Sequence, residues 1–160
     1  MILLIALIIA VVSITGCIRI KKTAVRYILG TVAVFNIVIV ILGGSFVYTT
    51  KYRINYVDSS MSPDGKYELL LQQIGDPEWP FGYTHARLVL KGESGTITRY
   101  PFILINDGGC VRPESWQVSW KKNRVEAVLS GEEQNDIRYT LYFDGKAESD
   151  QLDTRGGDIR

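Results

Sequence analysis

Two uncharged runs occupy most of the first fifty residues. Residues 2–18 contain nothing more polar than a serine and a threonine, and residues 27–48 contain one strongly polar group, Asn36. A helix rises about 1.5 Å per residue, so the roughly 30 Å hydrocarbon core of a bilayer needs about 20 apolar residues. A buried helix of a soluble protein would show a polar face, which neither run has. The sequence therefore predicts membrane-spanning helices at about 2–18 and 27–48.

Basic residues between the two runs predict their orientation. The connection, residues 19–26, holds four bases and no acid: Arg19, Lys21, Lys22 and Arg26. Bases near the ends of a span are retained on the cytoplasmic side, and only Lys51 and Arg53 lie close after the second run. The sequence thus predicts a transmembrane helical hairpin over residues 1–49, with a cytoplasmic turn and both termini outside.

A bacterial lipoprotein is the alternative for the N-terminus. Ile14-Thr15-Gly16-Cys17 matches the lipobox, in which signal peptidase cuts before the cysteine and lipid is attached to it. A secretory signal begins with a basic segment, however, and here every early base follows Cys17. Lipidation on the outer face would also leave those bases outside, against the charge rule. The hairpin is favoured, and processing at Cys17 remains the alternative.

Small side chains suggest how the two helices pack. Pairing the helices outward from the turn places Asn36 near Ala10, on stripes of small residues. The candidate packing residues are Ala6, Ala10, Ala33 and Asn36. Small residues let helix backbones approach, and a polar side chain can bond across the contact. We expect Asn36 to face the first helix or a second copy of the chain, so a homo-oligomer is one alternative.

Short apolar alternations broken by turns follow residue 50. Trp116, Val118 and Trp120 would share one face of a strand over 115–120, and the segment 136–144 alternates in the same way. A period of two with turns every eight to twelve residues predicts an all-β domain over residues 50–144. Its expected form is a small antiparallel β-sandwich or open barrel, in which Pro101 bends its strand or places it at an edge. Residues 145–160 are rich in charge and glycine, which predicts a disordered tail.

One turn resembles a known pattern. The string Ser62-Pro63-Asp64-Gly65-Lys66 is similar to strand turns in bacterial β-propellers of the periplasmic TolB type. One copy does not make a propeller, because each blade would need its own. The layout more closely resembles small bacterial membrane-anchored proteins in which a helix is followed by this turn and an all-β extracytoplasmic domain. That resemblance implies a fold and a location and supplies no activity.

The residue inventory argues against several chemistries. His85 is the only histidine, which excludes a histidine-based triad and a multi-histidine metal site. Cys110 is the only cysteine after residue 50, and we expect a buried or inert thiol, with an intermolecular bridge as the alternative. Seventeen acids and fourteen bases after residue 49 give that part a formal charge of −3, which offers no basic footprint for nucleic acid. We expect no enzymatic activity, metal or cofactor.

The segment Gly75–His85 is the most suggestive surface. It holds two prolines, two glycines and three aromatic residues, and aromatic side chains on stiff loops are common binding anchors. The candidate residues for binding a ligand or partner are Glu78, Trp79, Phe81, Tyr83 and His85. The alternative is that this segment folds back and caps the core.

These observations predict a membrane-anchored extracytoplasmic domain that recognises another membrane or envelope protein or a small ligand. The bilayer itself is the first expected partner, and nucleic acid is not expected. One alternative is a small envelope enzyme using carboxylates or Cys110. The other is an immunity-type or assembly factor that acts inside the membrane through Asn36.

Overall fold

The computed structural model describes residues 2–77, 82–131 and 134–152. The chain divides into two compact units, Met1–Thr50 and Lys51–Arg160. The first unit contains two α-helices, α1 (Ile2–Arg19) and α2 (Thr23–Lys51). The second unit, called the β domain below, contains eight β-strands and a short 3₁₀ helix.

The helices extend further into their connection than the sequence predicted. Only residues 20–22 separate α1 from α2, whereas the prediction was a turn over 19–26. Arg19 extends α1 and residues 23–26 extend α2, because neither stretch contains a glycine or proline that would end a helix. Within the described residues, α2 alone is long and apolar enough to cross a membrane, with a mean hydropathy of 2.3 over its most apolar window. The apolar helix Leu3–Arg19 is shorter.

Close contacts join α1 and α2 within the helical unit. A Cβ atom added at Gly43 would lie 2.6 Å from Cδ2 of Leu3, and one added at Gly16 would lie 3.1 Å from Cδ1 of Leu29. The contact positions run forward along α1, from Leu3 to Gly16, and backward along α2, from Gly43 to Leu29. These glycines therefore lie where the neighbouring helix leaves little room for a side chain.

The strands of the β domain form two antiparallel meanders. The strands are β1 (Ile54–Met61), β2 (Glu68–Ile74), β3 (Tyr83–Gly92), β4 (Gly95–Ile105), β5 (Trp116–Trp120), β6 (Arg124–Leu129), β7 (Ile137–Tyr142) and β8 (Ala147–Gln151). The strand orders are β1-β2-β3-β4 and β5-β6-β7-β8, so each strand pairs with its neighbours in sequence. The prediction of an antiparallel, mostly-β domain is confirmed.

One hydrophobic core lies between the two sheets. Side chains of both sheets form this core. Its fully buried members are Leu69, Leu71, Leu88, Leu90, Leu104, Val125, Ala127, Leu129 and Leu141. Aromatic pairs cross the core, with ring centroids 4.9 Å apart for Phe102 and Tyr139. The alternation predicted for β5 is observed, because Trp116 is buried in this core while Val118 and Trp120 pack against it.

Two tryptophan side chains form hydrogen bonds from one sheet to the other. The indole N–H of Trp116 donates to Oδ2 of Asp58 at 2.9 Å, and that of Trp120 donates to Oγ of Ser60 at 3.0 Å. A β-bulge at Val57 shifts the register, so Asp58 and Ser60 pair with inward-facing residues of β2. The bulge thus places two polar acceptors on a face that is otherwise apolar.

The strand β8 corrects the predicted tail. Ala147–Gln151 pair with β7, so the prediction of disorder from residue 145 is wrong for these five residues. Their sequence has one apolar side chain, and pattern reasoning gives no strand for it. The strand is held by its backbone ladder and by two side-chain bonds, from Tyr100 Oη to Ser149 Oγ and from Tyr142 Oη to Glu148 Oε1. Residues 153–160 lie outside the described residues.

Edge strands carry features that oppose further pairing. Pro101 lies on β4, which is an edge strand, one of the two outcomes predicted for it. The bulge at Val57 bends the opposite edge, β1, and β8 presents Glu148 and Asp150. Partner binding by simple strand addition is therefore disfavoured at these edges.

Replacing Asp58 tests the bond between the sheets. Asp58→Ala leaves the buried indole N–H of Trp116 without its acceptor, so we expect the free energy of unfolding to fall by about 1–3 kcal/mol. Denaturant unfolding of the full chain in detergent, followed by near-UV circular dichroism, measures this. The matched control is Ser60→Ala, where Trp120 is only half-buried and water can replace the acceptor. An equal loss in both variants would contradict the assignment.

Candidate functional site

The β domain has two ends that differ in chemistry. β1 begins at Ile54, three residues after α2 ends at Lys51. We call the end at Ile54 the tether end and the opposite end, at Met61, the far end. Because successive strands reverse direction, the connections after β2, β4 and β6 lie at the tether end. The connections after β1, β3, β5 and β7 lie at the far end.

The predicted binding residues fall partly on a strand. Tyr83 and His85 belong to β3, where they pair with Ile105 and Ile103 of β4. The prediction of a loop over the whole of 75–85 is therefore wrong for its last three residues, because the β3–β4 ladder continues to Tyr83. Glu78, Trp79 and Phe81 lie outside the described residues.

Exposed apolar side chains concentrate in the tether half of the first sheet. Ile54, Tyr83 and Ile103 are each 49% exposed and Tyr56 is 63% exposed. His85, which is also exposed, lies beside Ile103 on the sheet face turned away from the core. We call these five residues the tether patch. Among the described residues of the β domain, Met61 is the one large apolar side chain exposed at the far end.

Buried polar side chains fix the loop that closes the tether end, residues 106–111. The Gln73 side chain accepts a bond from the Val111 amide at 3.0 Å and donates to the Gly75 carbonyl at 2.9 Å. Thr84 Oγ1 donates to the Gly109 carbonyl at 2.7 Å. The sequence prediction did not single out Gln73 and Thr84. Their polar character at inward positions of apolar strands is the feature that could have identified them.

Cys110 is exposed, which corrects the expectation of a buried thiol. The backbone groups on either side of it, the Gly109 carbonyl and the Val111 amide, bond inward to Thr84 and Gln73. Nε2 of Gln73 lies 3.9 Å from the sulfur. The thiol is therefore accessible at a rigid position of the tether end.

The turn formed by residues 62–66, at the far end, is held by its own side chains. Ser62 is buried; its hydroxyl donates to Oδ1 of Asp64 at 2.6 Å and accepts from the Tyr67 amide at 2.9 Å. The Lys66 amide donates to the same carboxylate at 3.2 Å. These bonds lower the pKa of Asp64, and the bond from Ser62 has the largest effect. Gly65 supplies the positive φ of 70° that closes the turn.

Charged groups on the outer face of the second sheet pair with one another. Arg124 Nε lies 2.8 Å from Oε1 of Glu126, and this bond lowers the pKa of Glu126. The Tyr142 hydroxyl donates to Oε1 of Glu148 at 2.6 Å, which raises the pKa of the phenol. A groove of about 350 Å³ runs between these pairs. Because these four groups pair with one another, we assign the two pairs a structural role.

The helical unit places the predicted packing residues on its less exposed faces. Ala6, Ala10 and Ala33 are buried, and Asn36 is half-buried. The prediction placed an Asn36 bond across to another helix, but its Nδ2 donates to the Val32 carbonyl of its own helix at 2.9 Å. An i−4 carbonyl is the nearest acceptor for a short polar side chain on a helix. No group of three or more metal-ligating side chains occurs in the described parts of the chain.

The pH dependence of stability tests the role of Asp64. A lowered folded pKa means that the carboxylate contributes stability above its unfolded pKa, and that this contribution is lost as pH falls through the folded value. We therefore expect Asp64→Asn to lower the melting temperature at pH 7 and to converge with the parent protein near pH 2. Asp76→Asn is the control, since it removes the same charge from an exposed position. A constant difference across the pH range would contradict the assignment.

Comparison with known proteins supplies no function for this chain. No family model, curated protein or solved structure matches this chain.

Proposed function

We propose that this chain is a membrane-anchored accessory protein. In this proposal its β domain lies outside the cytoplasmic membrane and recognises another membrane protein through the tether patch. The observation that carries the proposal is the concentration of exposed apolar side chains at the end of the β domain that is joined to α2. Exposed apolar patches mark interaction sites on soluble domains.

The membrane anchor is proposed as a two-helix hairpin. α2 has the length and hydropathy of a spanning helix, and α1 is uncharged up to Arg19. Support for α1 as its partner comes from the tight approaches at Gly16 and Gly43 and from the buried alanines between them. A short α1 would be accommodated by local thinning of the bilayer.

Charge supports the proposed orientation. The four bases at and beside residues 20–22 favour a cytoplasmic turn. Tyr48 and Tyr52, near the other end of α2, are both exposed and suit a membrane–water interface. The β domain would then be extracytoplasmic.

The short connection between α2 and β1 narrows the class of partner. Three residues span at most about 11 Å, so Ile54 stays within that distance of the end of α2. A partner that binds the tether patch must therefore reach the membrane surface. This favours the extracytoplasmic part of a membrane protein over a freely diffusing ligand.

The composition of the tether patch suits protein recognition. Tyr56 and Tyr83 offer large rigid contact area at a low cost in conformational entropy, as binding anchors do. His85 adds a polar group beside Ile103, which can fix the orientation of a partner. The loop 106–111 is held by buried bonds and gives the patch a stiff border.

Site-specific crosslinking in cells tests this proposal. A photoreactive amino acid in place of Tyr83 should crosslink the full-length protein to another membrane protein. The double variant Tyr83→Ser, Ile103→Ser, probed from a photoreactive group at Tyr56, should lower that yield by about ten-fold or more, because anchors dominate binding energy. The matched control is Met61→Ser, an exposed apolar residue at the far end.

Four outcomes would contradict the proposal. Crosslinks to lipid alone would show that the bilayer covers the patch, and an equal loss in Met61→Ser would show that the patch is not specific. Loss of function in Cys110→Ser with intact crosslinking would instead favour the enzyme alternative. If residues 1–50 alone complemented a deletion, the hairpin alternative would replace the proposal.

A further inference from the structure

The far end carries a cleft that the proposed function does not use. It lies between the Ser62–Lys66 turn and the connection after β5, residues 121–123, and has a volume of about 300 Å³. Its charged lining consists of Asp64, Lys66, Lys121 and Lys122, and its aromatic lining of Tyr67, Trp120 and Phe143. We call it the far cleft.

The far cleft carries an excess of positive charge. Lys66, Lys121 and Lys122 are all exposed, and none forms an ion pair with a carboxylate of the described residues. Among the described residues of the lining Asp64 is the one acid, and its carboxylate already accepts bonds from Ser62 and from the Lys66 amide. Three ammonium groups therefore surround the cleft with one partly engaged carboxylate, which suits an anionic ligand.

A rigid aromatic wall lies beside these lysines. The rings of Tyr67 and Phe143 stack with centroids 3.9 Å apart and planes 13° apart, and Trp120 lies 6.4 Å from Phe143. The bond from the Trp120 indole to Ser60 fixes the orientation of that ring. All three rings are half-buried, so part of each remains accessible. Such a wall can pack against the apolar face of a ligand at little cost in entropy.

The backbone of the two turns is already engaged. The amides of Ser62, Gly65 and Tyr67 donate within the first turn. In the other connection the Lys121 amide donates to the Arg124 carbonyl at 2.9 Å, and the Phe143 amide to the Asn123 carbonyl at 3.1 Å. A bound peptide needs free backbone partners, and these turns offer few. The cleft is therefore better suited to a ligand recognised through charge and ring contacts.

We propose that the far cleft binds an anionic saccharide. Lysine ammonium groups act as point charges toward carboxylate or phosphate substituents. The lining that the structure describes contains no arginine, which would form a planar two-bond clamp. The aromatic wall would pack against the C–H face of a sugar ring. The cleft is at the opposite end of the β domain from the tether patch, so one chain could bind a membrane protein and an acidic glycan together.

Binding measurements on the full-length chain in neutral detergent test this proposal. The probes are trigalacturonate, the uncharged galactose trimer and a glutamate hexapeptide. Their binding is measured by calorimetry and by the change in tryptophan fluorescence. We expect trigalacturonate to bind, with an affinity that falls as salt rises and a fluorescence change that is lost in Trp120→Phe. The galactose trimer should bind at least about ten-fold more weakly.

Charge variants separate the cleft from general electrostatic attraction. Lys121→Gln together with Lys122→Gln should weaken trigalacturonate binding by about five-fold or more, since each exposed charge contributes modestly. The matched control, Lys91→Gln with Arg99→Gln, removes the same charge from β3 and β4 and should leave binding within about two-fold. Crosslinking at Tyr83 should be unchanged in both variants.

Other results would overturn the inference. Equal weakening in the control pair would show non-specific attraction, and equal affinity for the glutamate peptide would replace the saccharide by an acidic peptide. A fluorescence change that survives in Trp120→Phe would place the ligand elsewhere. No binding of trigalacturonate at low salt would refute the site directly.

Discussion

The shared core of the two meanders is the interaction on which the β domain depends. Each four-stranded sheet has one apolar face, and such a sheet needs cover for that face to be stable. The bonds from Trp116 to Asp58 and from Trp120 to Ser60 join β5 to β1 across this core. This alignment brings the turns of both sheets to common ends. The loop 106–111 and the far cleft are consequences of it.

The two ends then acquire different surfaces. Apolar and aromatic side chains are exposed where the chain leaves α2, and lysines surround the cleft at the other end. Only residues 52 and 53 separate α2 from β1, and the proposed membrane-protein partner would meet the apolar end. The basic end points to a ligand recognised by charge. Each end is thus proposed to bind a different partner.

Sequence patterns predicted the periodic parts of this fold. The alternation around Trp116 was sufficient to predict a strand and its buried face. The proline on β4 was sufficient to predict a bend or an edge strand. They failed where backbone bonding rather than side-chain pattern decides the structure. β8 has one apolar side chain yet extends the ladder, and β3 continues through Tyr83 into a segment rich in glycine and proline.

The sites were harder to predict than the strands. Cys110 is exposed because Gln73 and Thr84 hold its loop from within, a long-range contact that spacing does not reveal. The far cleft joins two turns that are distant in sequence. Asn36 bonds within α2 because the nearest acceptor belongs to its own helix. Of the five residues of the tether patch, the sequence singled out Tyr83 and His85 but not Ile54, Tyr56 and Ile103.

The placement of the β domain outside the membrane is the central claim, and the exposed thiol of Cys110 tests it directly. In a Cys17→Ser protein, a membrane-impermeant maleimide added to intact cells or protoplasts should label Cys110 without permeabilisation. A cysteine at Lys22, with both native cysteines replaced by serine, should be labelled only after permeabilisation. Labelling of Cys110 that required permeabilisation would place the β domain in the cytoplasm and contradict the account.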